Sequence, residues 1–247
     1  MMKKLILLVM LLGAVTAWGK EPDNDDILSK TTDTSSPYYY TALILRYNMG
    51  DETLTDKDYH YLYYGYAFQE NYKPLESNPD MPHLYDLAAR INPDDPEKML
   101  LEDLVSAGMK ALKKDPFSPK VLNIMAYAYG ALGNEKEEKA YFNRMNGVIR
   151  AIVASGDGLT EKTPRHILMF DHAIDVMAAE NLTYGKSRIV SRTVEFIPFL
   201  SPYIVMGKKR KGLYFNFERI YWNKPEGYTY ERDRTWQFNN LKPRKYK

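Results

Sequence analysis

One stretch of the sequence is typical of two helices packed side by side. Residues 126–144 read AYAYGALGNEKEEKAYFNR, in which Gly133 and Asn134 form a turn between two runs of apolar residues at helical spacing. With its flanks, the stretch predicts one helix from Pro119 to Leu132 and another from Glu135 to about Val153. Such a pair must cover its apolar sides with further helices or with a sheet.

Helical patterns also fill the chain before this pair. Apolar positions recur at helical spacing after Pro37, where Gly50 supplies a stop, and after Thr55, whose hydroxyl suits a helix N-cap. Further helices are expected over residues 83–91 and from Pro96 to about residue 115, each followed by a proline. The first half of the chain is therefore predicted to be helical.

After SGDG at residues 155–158, the pattern changes to β-branched and aromatic runs. Strands are expected over residues 166–170 and 188–196, with a short helix over 173–179 between them. A hairpin of residues 203–206 and 213–221 is expected to be joined by the loop GKKRKG. The predicted fold class is therefore α+β, with antiparallel helix pairs followed by a small, mostly antiparallel sheet.

The first nineteen residues, MMKKLILLVMLLGAVTAWG, have the organisation of a secretory signal peptide. Two lysines precede an apolar run that is shorter than the about 20 residues needed to cross a bilayer, and small residues follow it. Cysteine is absent from the sequence, which excludes disulfide bonds, lipid attachment to cysteine and thiolate metal sites. We therefore expect an exported protein, periplasmic or extracellular, that is not a lipoprotein.

The expected organisation has five parts, from the signal peptide to the C-terminus. They are the signal peptide (1–19), a polar and disordered leader (20–36), the helical region (37–154), a small sheet region packed on the helices (155–222) and an irregular basic tail (223–247).

The central helix pair resembles the tetratricopeptide repeat, a helix pair of about 34 residues. KALKKDP at residues 110–116 resembles the end of one repeat, and the next matches at Leu122, Met125, Ala126, Tyr129, Gly133 and Phe142. Tyr129 and Phe142 are expected to fill the space between the two helices. Only about one and a half repeats are recognisable, so we expect a repeat-like helical layer rather than a long array.

The chain as a whole resembles a family of exported bacterial proteins, domain of unknown function 4919. The resemblance is carried by LYYGYAFQENYKP (62–74), the repeat-like KALKKDP and AYAYGALGN, ASGDG (154–158) and GLYFNF (212–217). It implies secretion and a fold that is helical first and mixed afterwards. It implies no known activity.

Charge is divided along the chain. Residues 20–185 contain 17 Lys and Arg against 27 Asp and Glu, whereas residues 186–247 contain 15 against 5. Four consecutive cations, Lys208, Lys209, Arg210 and Lys211, occupy the expected hairpin loop. A solvated turn explains them, and so does a basic face that binds anionic lipid. We expect no nucleic-acid partner, because nucleic acid is unusual outside the cytoplasm.

Tyrosine is concentrated in YHYLYYGYAFQENY, residues 59–72. Tyr59, Tyr63 and Tyr66 share one face of the predicted helix, which suits either a recognition surface for a peptide or sugar, or a buried face. The helical spacing favours the buried face. The first interpretation keeps these three residues and Tyr129 as candidates for binding a partner.

A cluster of His166, Asp171, His172 and Asp175 suggests a metal site or acid–base chemistry. The spacing lacks the zinc-helix signature, so surface residues and a helix cap at Asp171 explain the cluster more simply, and we expect no metal and no cofactor. SGDG could form an anion-binding turn, but the end of a helix explains it, and the nucleophile elbow G-x-S-x-G is absent.

These observations lead to one functional hypothesis and two alternatives. The hypothesis is a non-enzymatic binding or scaffold protein of the bacterial envelope, whose helical layer offers a groove to a protein or peptide partner. One alternative is a hydrolase that uses His166 or His172 with Asp171 or Asp175. The other is a peripheral envelope protein that binds anionic lipid through its basic C-terminal region.

Overall fold

The computed structural model describes residues 20–205 and 207–222. The predicted signal peptide and the predicted basic tail lie outside the described residues. Eight α-helices occupy nearly half of the described chain: α1 (Asn24–Thr32), α2 (Tyr40–Asn48), α3 (Asp56–Gly65), α4 (Met81–Arg90), α5 (Lys98–Lys114), α6 (Pro119–Ala131), α7 (Glu135–Val153) and α8 (Phe170–Ala179). None of the helices within these ranges is both long enough and apolar enough to cross a bilayer.

The predicted helix pair forms α6 and α7. Ser118 accepts a hydrogen bond from the Val121 N–H (3.4 Å) and so caps α6, and Asn134 caps α7 through the Glu137 N–H (3.3 Å). Gly133 turns the chain between them with a φ of +78°, in the left-handed region that favours glycine. The predicted turn and both predicted helices are therefore confirmed.

Phe142 is the exception within this pair. We expected it to fill the space between the helices, but its side chain is 46% exposed. Tyr129 stacks instead on Tyr141, with ring centroids 5.4 Å apart. The aromatic filling therefore comes from the residue before Phe142.

The expectation of a disordered leader over residues 20–36 is wrong, because residues 24–32 form α1. The Asp23 carboxylate accepts hydrogen bonds from the Asp25 and Asp26 N–H groups and caps the helix. Ile27 is fully buried. The leader has few apolar residues of its own, so its order comes from contacts with distant parts of the chain.

One such contact joins the two ends of the described chain. Arg219 lies in a 3₁₀ turn, Glu218–Tyr221, near the end of the described residues. Its Nη2 donates to the carbonyl oxygen of Pro22 (2.9 Å) and to Asn24 Oδ1 (2.6 Å). The segment before α1 is therefore fixed to the last described turn.

The sheet has four strands, β1 (Arg165–His166), β2 (Arg188–Ile189), β3 (Val194–Val205) and β4 (Lys208–Asn216), in the order β1-β4-β3-β2. β1 runs parallel to β4, and the other neighbours are antiparallel. Helices followed by this small sheet confirm the α+β class.

Two details of the sheet differ from expectation. The strand expected over residues 166–170 ends at His166, because Phe170 already begins α8. The cationic run is not a loop, since Lys208 begins β4 and pairs with Val205. Gly207, with a φ of +70°, permits a much tighter turn than the six-residue loop that the charges suggested.

A core rich in tyrosine joins the helices to the sheet. A buried tyrosine hydroxyl requires a polar partner, and three of the core tyrosines find one in a backbone carbonyl. Tyr64 donates to the His166 carbonyl (3.0 Å), Tyr66 to that of Lys114 (3.0 Å) and Tyr72 to that of Leu168 (2.9 Å). The tyrosine-rich segment therefore holds the α5 end and the β1–α8 connection in place.

Candidate functional site

A groove opens between α2 and the helices α5 to α7, and we call it the α2–α7 groove. Its volume is about 540 Å³, within the range of about 300–1,000 Å³ that is typical of ligand sites. Apolar and aromatic side chains form much of its wall, and polar side chains supply the rest: Tyr40, Thr41, Ile44, Tyr47, Asn48, Gln69, Asn71, Met109, Leu112, Lys113, Pro116, Leu122, Tyr141 and Arg144.

Arg144 is the most constrained polar side chain of this groove. It extends from α7, is only 8% exposed, and donates from Nε to the Tyr47 carbonyl (2.9 Å) and from Nη2 to the Asn48 carbonyl (2.8 Å). These are the last two carbonyl groups of α2, which lack partners within the helix. Arg144 therefore closes the end of α2 while lining the groove.

Two aromatic rings hold the guanidinium in position. Its Cζ lies 4.6 Å from the ring centroid of Tyr141 and 5.3 Å from that of Tyr47. Such cation–π contacts fix the plane of the guanidinium. The third nitrogen, Nη1, donates no hydrogen bond to any residue in the described ranges. Within these ranges, the hydrogen-bonding capacity of Nη1 is therefore not used.

The groove carries positive charge in an acidic part of the chain. Lys113 lines it and has no ion pair within residues 20–205 and 207–222. Among the described residues that line the groove, none is acidic. Residues 20–185 nevertheless contain 27 Asp and Glu against 17 Lys and Arg. The groove therefore differs in sign from the rest of the helical region.

The tyrosines proposed from the sequence lie mostly in the core. Tyr59 is 4% exposed, Tyr63 is fully buried and Tyr66 is 1% exposed, so these rings form no recognition surface. The buried-face interpretation agrees with these positions. Tyr129 is half-buried and stacks on Tyr141, so it supports a groove residue from behind.

His172 belongs to a buried chain of polar groups. Its Nδ1 lies 2.8 Å from the Tyr63 hydroxyl and its Nε2 lies 3.0 Å from Asp115 Oδ2. Burial opposes protonation of the ring, but the carboxylates of Asp115, Asp175 and Asp171, led by Asp115, together outweigh burial and raise the pKa of His172 above its usual value. Because both ring nitrogens are engaged and the ring is 1% exposed, His172 ties α8 to α3 and to the α5–α6 turn.

His166 lies in a different environment. Arg219 Nη1 donates to its Nδ1 at 3.0 Å. Burial, assisted by the positive charge of Arg219, lowers the pKa of His166 to about 3. The two histidines therefore contact different partners and do not form a shared site with Asp171 and Asp175.

Asp175 faces a second cavity of about 540 Å³, which Tyr85, Asp115, Phe170 and Asp171 also line. Its Oδ2 accepts from the Lys120 N–H (3.2 Å), so it caps the first turn of α6 from α8. Burial raises the pKa of Asp175 to about 6. His172 does not line this cavity, so the imidazole and Asp175 do not face a common substrate space.

The remaining candidates lie outside both cavities. Lys208, Lys209, Arg210 and Lys211 are in β4, at the outer end of the β3–β4 hairpin. Ser155 donates to the Ile152 carbonyl (2.6 Å) and accepts from the His166 N–H (2.7 Å), so it joins the end of α7 to β1. Within the described ranges, no three His, Asp or Glu side chains are placed to hold a metal ion.

Sequence reasoning missed the two cations of the groove, Lys113 and Arg144. Each lies in a helix that was predicted correctly, but nothing local distinguishes it from the other surface cations of α5 and α7. The sequence contained one indirect indication: Arg144 lies among the apolar positions of the α7 stripe. A charged residue at such a position needs a buried polar partner.

Comparison with known proteins places the chain in a family without assigning an activity. No curated protein and no solved structure matches it. A family model matches residues 25–225, which include α1 to α8 and all four strands. The chain therefore belongs to the family described as Domain of unknown function (DUF4919).

Proposed function

We propose that the protein is a non-enzymatic binding module that holds a peptide segment in the α2–α7 groove. The observation that carries this proposal is Arg144, a buried arginine that lines a groove with no acidic side chain among its described lining residues and whose Nη1 donates to no described residue. A carboxylate is the ligand group that best matches a fixed guanidinium.

The groove suits a peptide because it combines two kinds of contact. Ile44, Met109 and Leu112 offer apolar surface to side chains, whereas Arg144 and Lys113 offer positive charge to a carboxylate. The Met109 side chain is 51% exposed. A bound apolar side chain would remove that surface from water. The carboxylate belongs either to an Asp or Glu side chain or to a peptide C-terminus.

Binding without catalysis agrees with the chemistry of the lining. The groove contains Thr41 and three side-chain amides, those of Asn48, Gln69 and Asn71. Its described residues include no histidine and no carboxylate to activate a nucleophile. Repeat-like helical layers generally act by presenting surfaces. The resemblance of α6 and α7 to a tetratricopeptide repeat supports the same role, and the N-terminal apolar segment supports export to the bacterial envelope.

Fluorescence anisotropy with three labelled octapeptides of Leu, Tyr and Ser tests the proposal. One has a free C-terminus, one has an internal Asp and an amidated C-terminus, and one is amidated and has no carboxylate. We expect one of the first two to bind at least about tenfold more tightly than the third, in line with a charge-assisted contact. Their ranking identifies the source of the carboxylate.

The matched variants are Lys113→Glu and Lys98→Glu, which make the same charge change at opposite ends of α5. The two positions are separated by about 22 Å along the helix, which exceeds the Debye length of about 8 Å at physiological salt. We expect Lys113→Glu to weaken binding about tenfold and Lys98→Glu to leave it within about twofold. Equal binding of all three peptides, or equal loss in both variants, would rule out the groove as the site.

A further inference from the structure

The outer end of the β3–β4 hairpin extends beyond its neighbouring strands. β2 pairs with β3 only at Glu195 and Phe196, and β1 pairs with β4 only at Phe215 and Asn216. An isolated bridge between Tyr184 and Phe199 is the last contact of this kind on β3. Past Leu200, whose N–H still donates to the Thr183 carbonyl (3.0 Å), β3 pairs only with β4, from Tyr203–Arg210 to Val205–Lys208, and so forms a two-stranded ribbon. We call residues 200–205 and 207–211 the hairpin end.

The hairpin end has an inner face that rests on the body of the protein. The Tyr203 hydroxyl donates to the Asn181 carbonyl (2.8 Å), and the Tyr203 ring lies 5.5 Å from that of Phe199. Arg210 is opposite Tyr203 in the ladder and is half-buried. Opposed residues of an antiparallel pair share a face, so Tyr203 and Arg210 define the inner side.

The opposite face combines aliphatic and cationic side chains. Ile204 is opposite Lys209 in the ladder, and Lys211 shares the face of Lys209 because side chains alternate along a strand. Ile204 is 78% exposed, and Leu200, in the irregular part of β3, is 70% exposed. Lys209 and Lys211 are exposed as well. Ile204 therefore lies in water directly opposite a lysine, and a second exposed aliphatic side chain, Leu200, precedes it on the same strand.

Charge on the hairpin end has one sign. Residues 199–212 read FLSPYIVMGKKRKG and contain four cations and no acidic residue. Lys208, Lys209 and Lys211 form no ion pair within residues 20–205 and 207–222. Within the part of the chain that the structure describes, these cations therefore lack a counter-charge and are available to an external anion.

We propose that the hairpin end docks on the surface of an anionic lipid bilayer. Ile204 enters the interfacial region together with Leu200, and Lys209 and Lys211 contact headgroup phosphates. Aliphatic side chains beside lysines on a projecting ribbon match the apolar and charged layers of a membrane surface. An acidic soluble protein would use the lysines but would leave no reason for the exposed Ile204.

Flotation of the full-length chain with liposomes tests this docking. The probes are vesicles of phosphatidylcholine alone and of phosphatidylcholine with 30% phosphatidylglycerol. We expect binding to the anionic vesicles, weakening as salt rises because screening reduces the attraction. The pair of changes Lys209→Gln and Lys211→Gln should weaken binding about fivefold for each lysine. Ile204→Ser should weaken it about tenfold, since an aliphatic side chain no longer leaves water.

Matched controls lie on the helical surface of the same chain. Lys110→Gln with Lys136→Gln removes two exposed lysines of α5 and α7, and Met99→Ser removes an apolar side chain that is 71% exposed. All variants carry the same residues 1–19 and 223–247, so contributions from the two ends cancel. Equal binding to both vesicle types, or unchanged binding of the hairpin variants, overturns the proposal. If only the lysine variant loses binding, the proposal is also wrong, because the protein then contacts the anionic surface without inserting an aliphatic side chain.

Discussion

Arg144 supports the end of α2, and its replacement by methionine tests how much of the groove depends on it. The change removes two charge-assisted hydrogen bonds, to Tyr47 (2.9 Å) and Asn48 (2.8 Å). At the lower end of the range for such bonds, they contribute about 1.5 kcal/mol each. Loss of the stacking on Tyr47 and Tyr141 adds about 1 kcal/mol, and release of a buried cation offsets part of the total. We expect the free energy of unfolding to fall by about 3 kcal/mol.

Urea denaturation followed by circular dichroism measures this loss. In thermal denaturation, the Tm of a chain of this size should fall by about 6–12 °C. Arg150→Met is the control on the same helix. Its ion pair with Asp56 is short (2.7 Å), but the two side chains are 51% and 71% exposed. We expect that variant to lose under about 1 kcal/mol. If both variants lose the same free energy, or if Arg144→Met loses less than Arg150→Met, Arg144 does not hold the end of α2.

Three further predictions concern buried groups. Asp175→Asn should stabilise the protein at pH 7 by on the order of 2 kcal/mol, because burial raises the pKa of Asp175 to about 6 from 3.8. The folded protein binds this proton more tightly than the unfolded chain does, so the free energy of unfolding of the wild type falls as pH rises from about 4 to about 6. If urea denaturation shows the same dependence of this free energy on pH for wild type and variant, the prediction is wrong. Gly147→Ala places a methyl group against the Tyr59 ring and should lower the free energy of unfolding by about 1–3 kcal/mol, measured as a lower urea midpoint. An unchanged midpoint would mean that α3 and α7 separate easily. Tyr63→Phe leaves the buried N–H of Leu168 and a ring nitrogen of His172 without their partner. By the same assay, the free energy of unfolding should fall by about 2–3 kcal/mol. A fall of less than about 0.5 kcal/mol would show that water replaces the hydroxyl.

Elements with local signals could be predicted from the sequence. Thr55 was expected to cap the following helix, and it does so in a capping box with Asp58. Gly50, with a φ of +72°, follows α2, as the helix stop required. The periodicity of α5, α6 and α7 gave their positions to within about two residues, because each buries one continuous apolar stripe.

Features that depend on distant partners could not be predicted. The cap of α6 by Asp175 joins residues 55 positions apart, and the contact of Arg144 with Tyr47 joins residues 97 positions apart. Four consecutive cations are typical of a solvent-exposed loop, but a strand with exposed side chains also keeps its charges in water. The run of charges alone therefore does not distinguish a loop from an exposed strand. The α2–α7 groove lies between helices, so predicting it requires knowledge of how the helices pack as well as where they lie in the sequence.

The link between Arg219 and the residues before α1 has a consequence for the order in which the molecule is completed. Its two hydrogen bonds connect positions 197 and 195 residues apart. During synthesis the N-terminal side of this link emerges 195 residues or more before its partner, so the segment before α1 lacks the Arg219 contact while α2 to α8 and the four strands are made. Contacts of α1 with Tyr61 of α3 can form much earlier, and the Arg219 contact then fixes the segment that precedes α1.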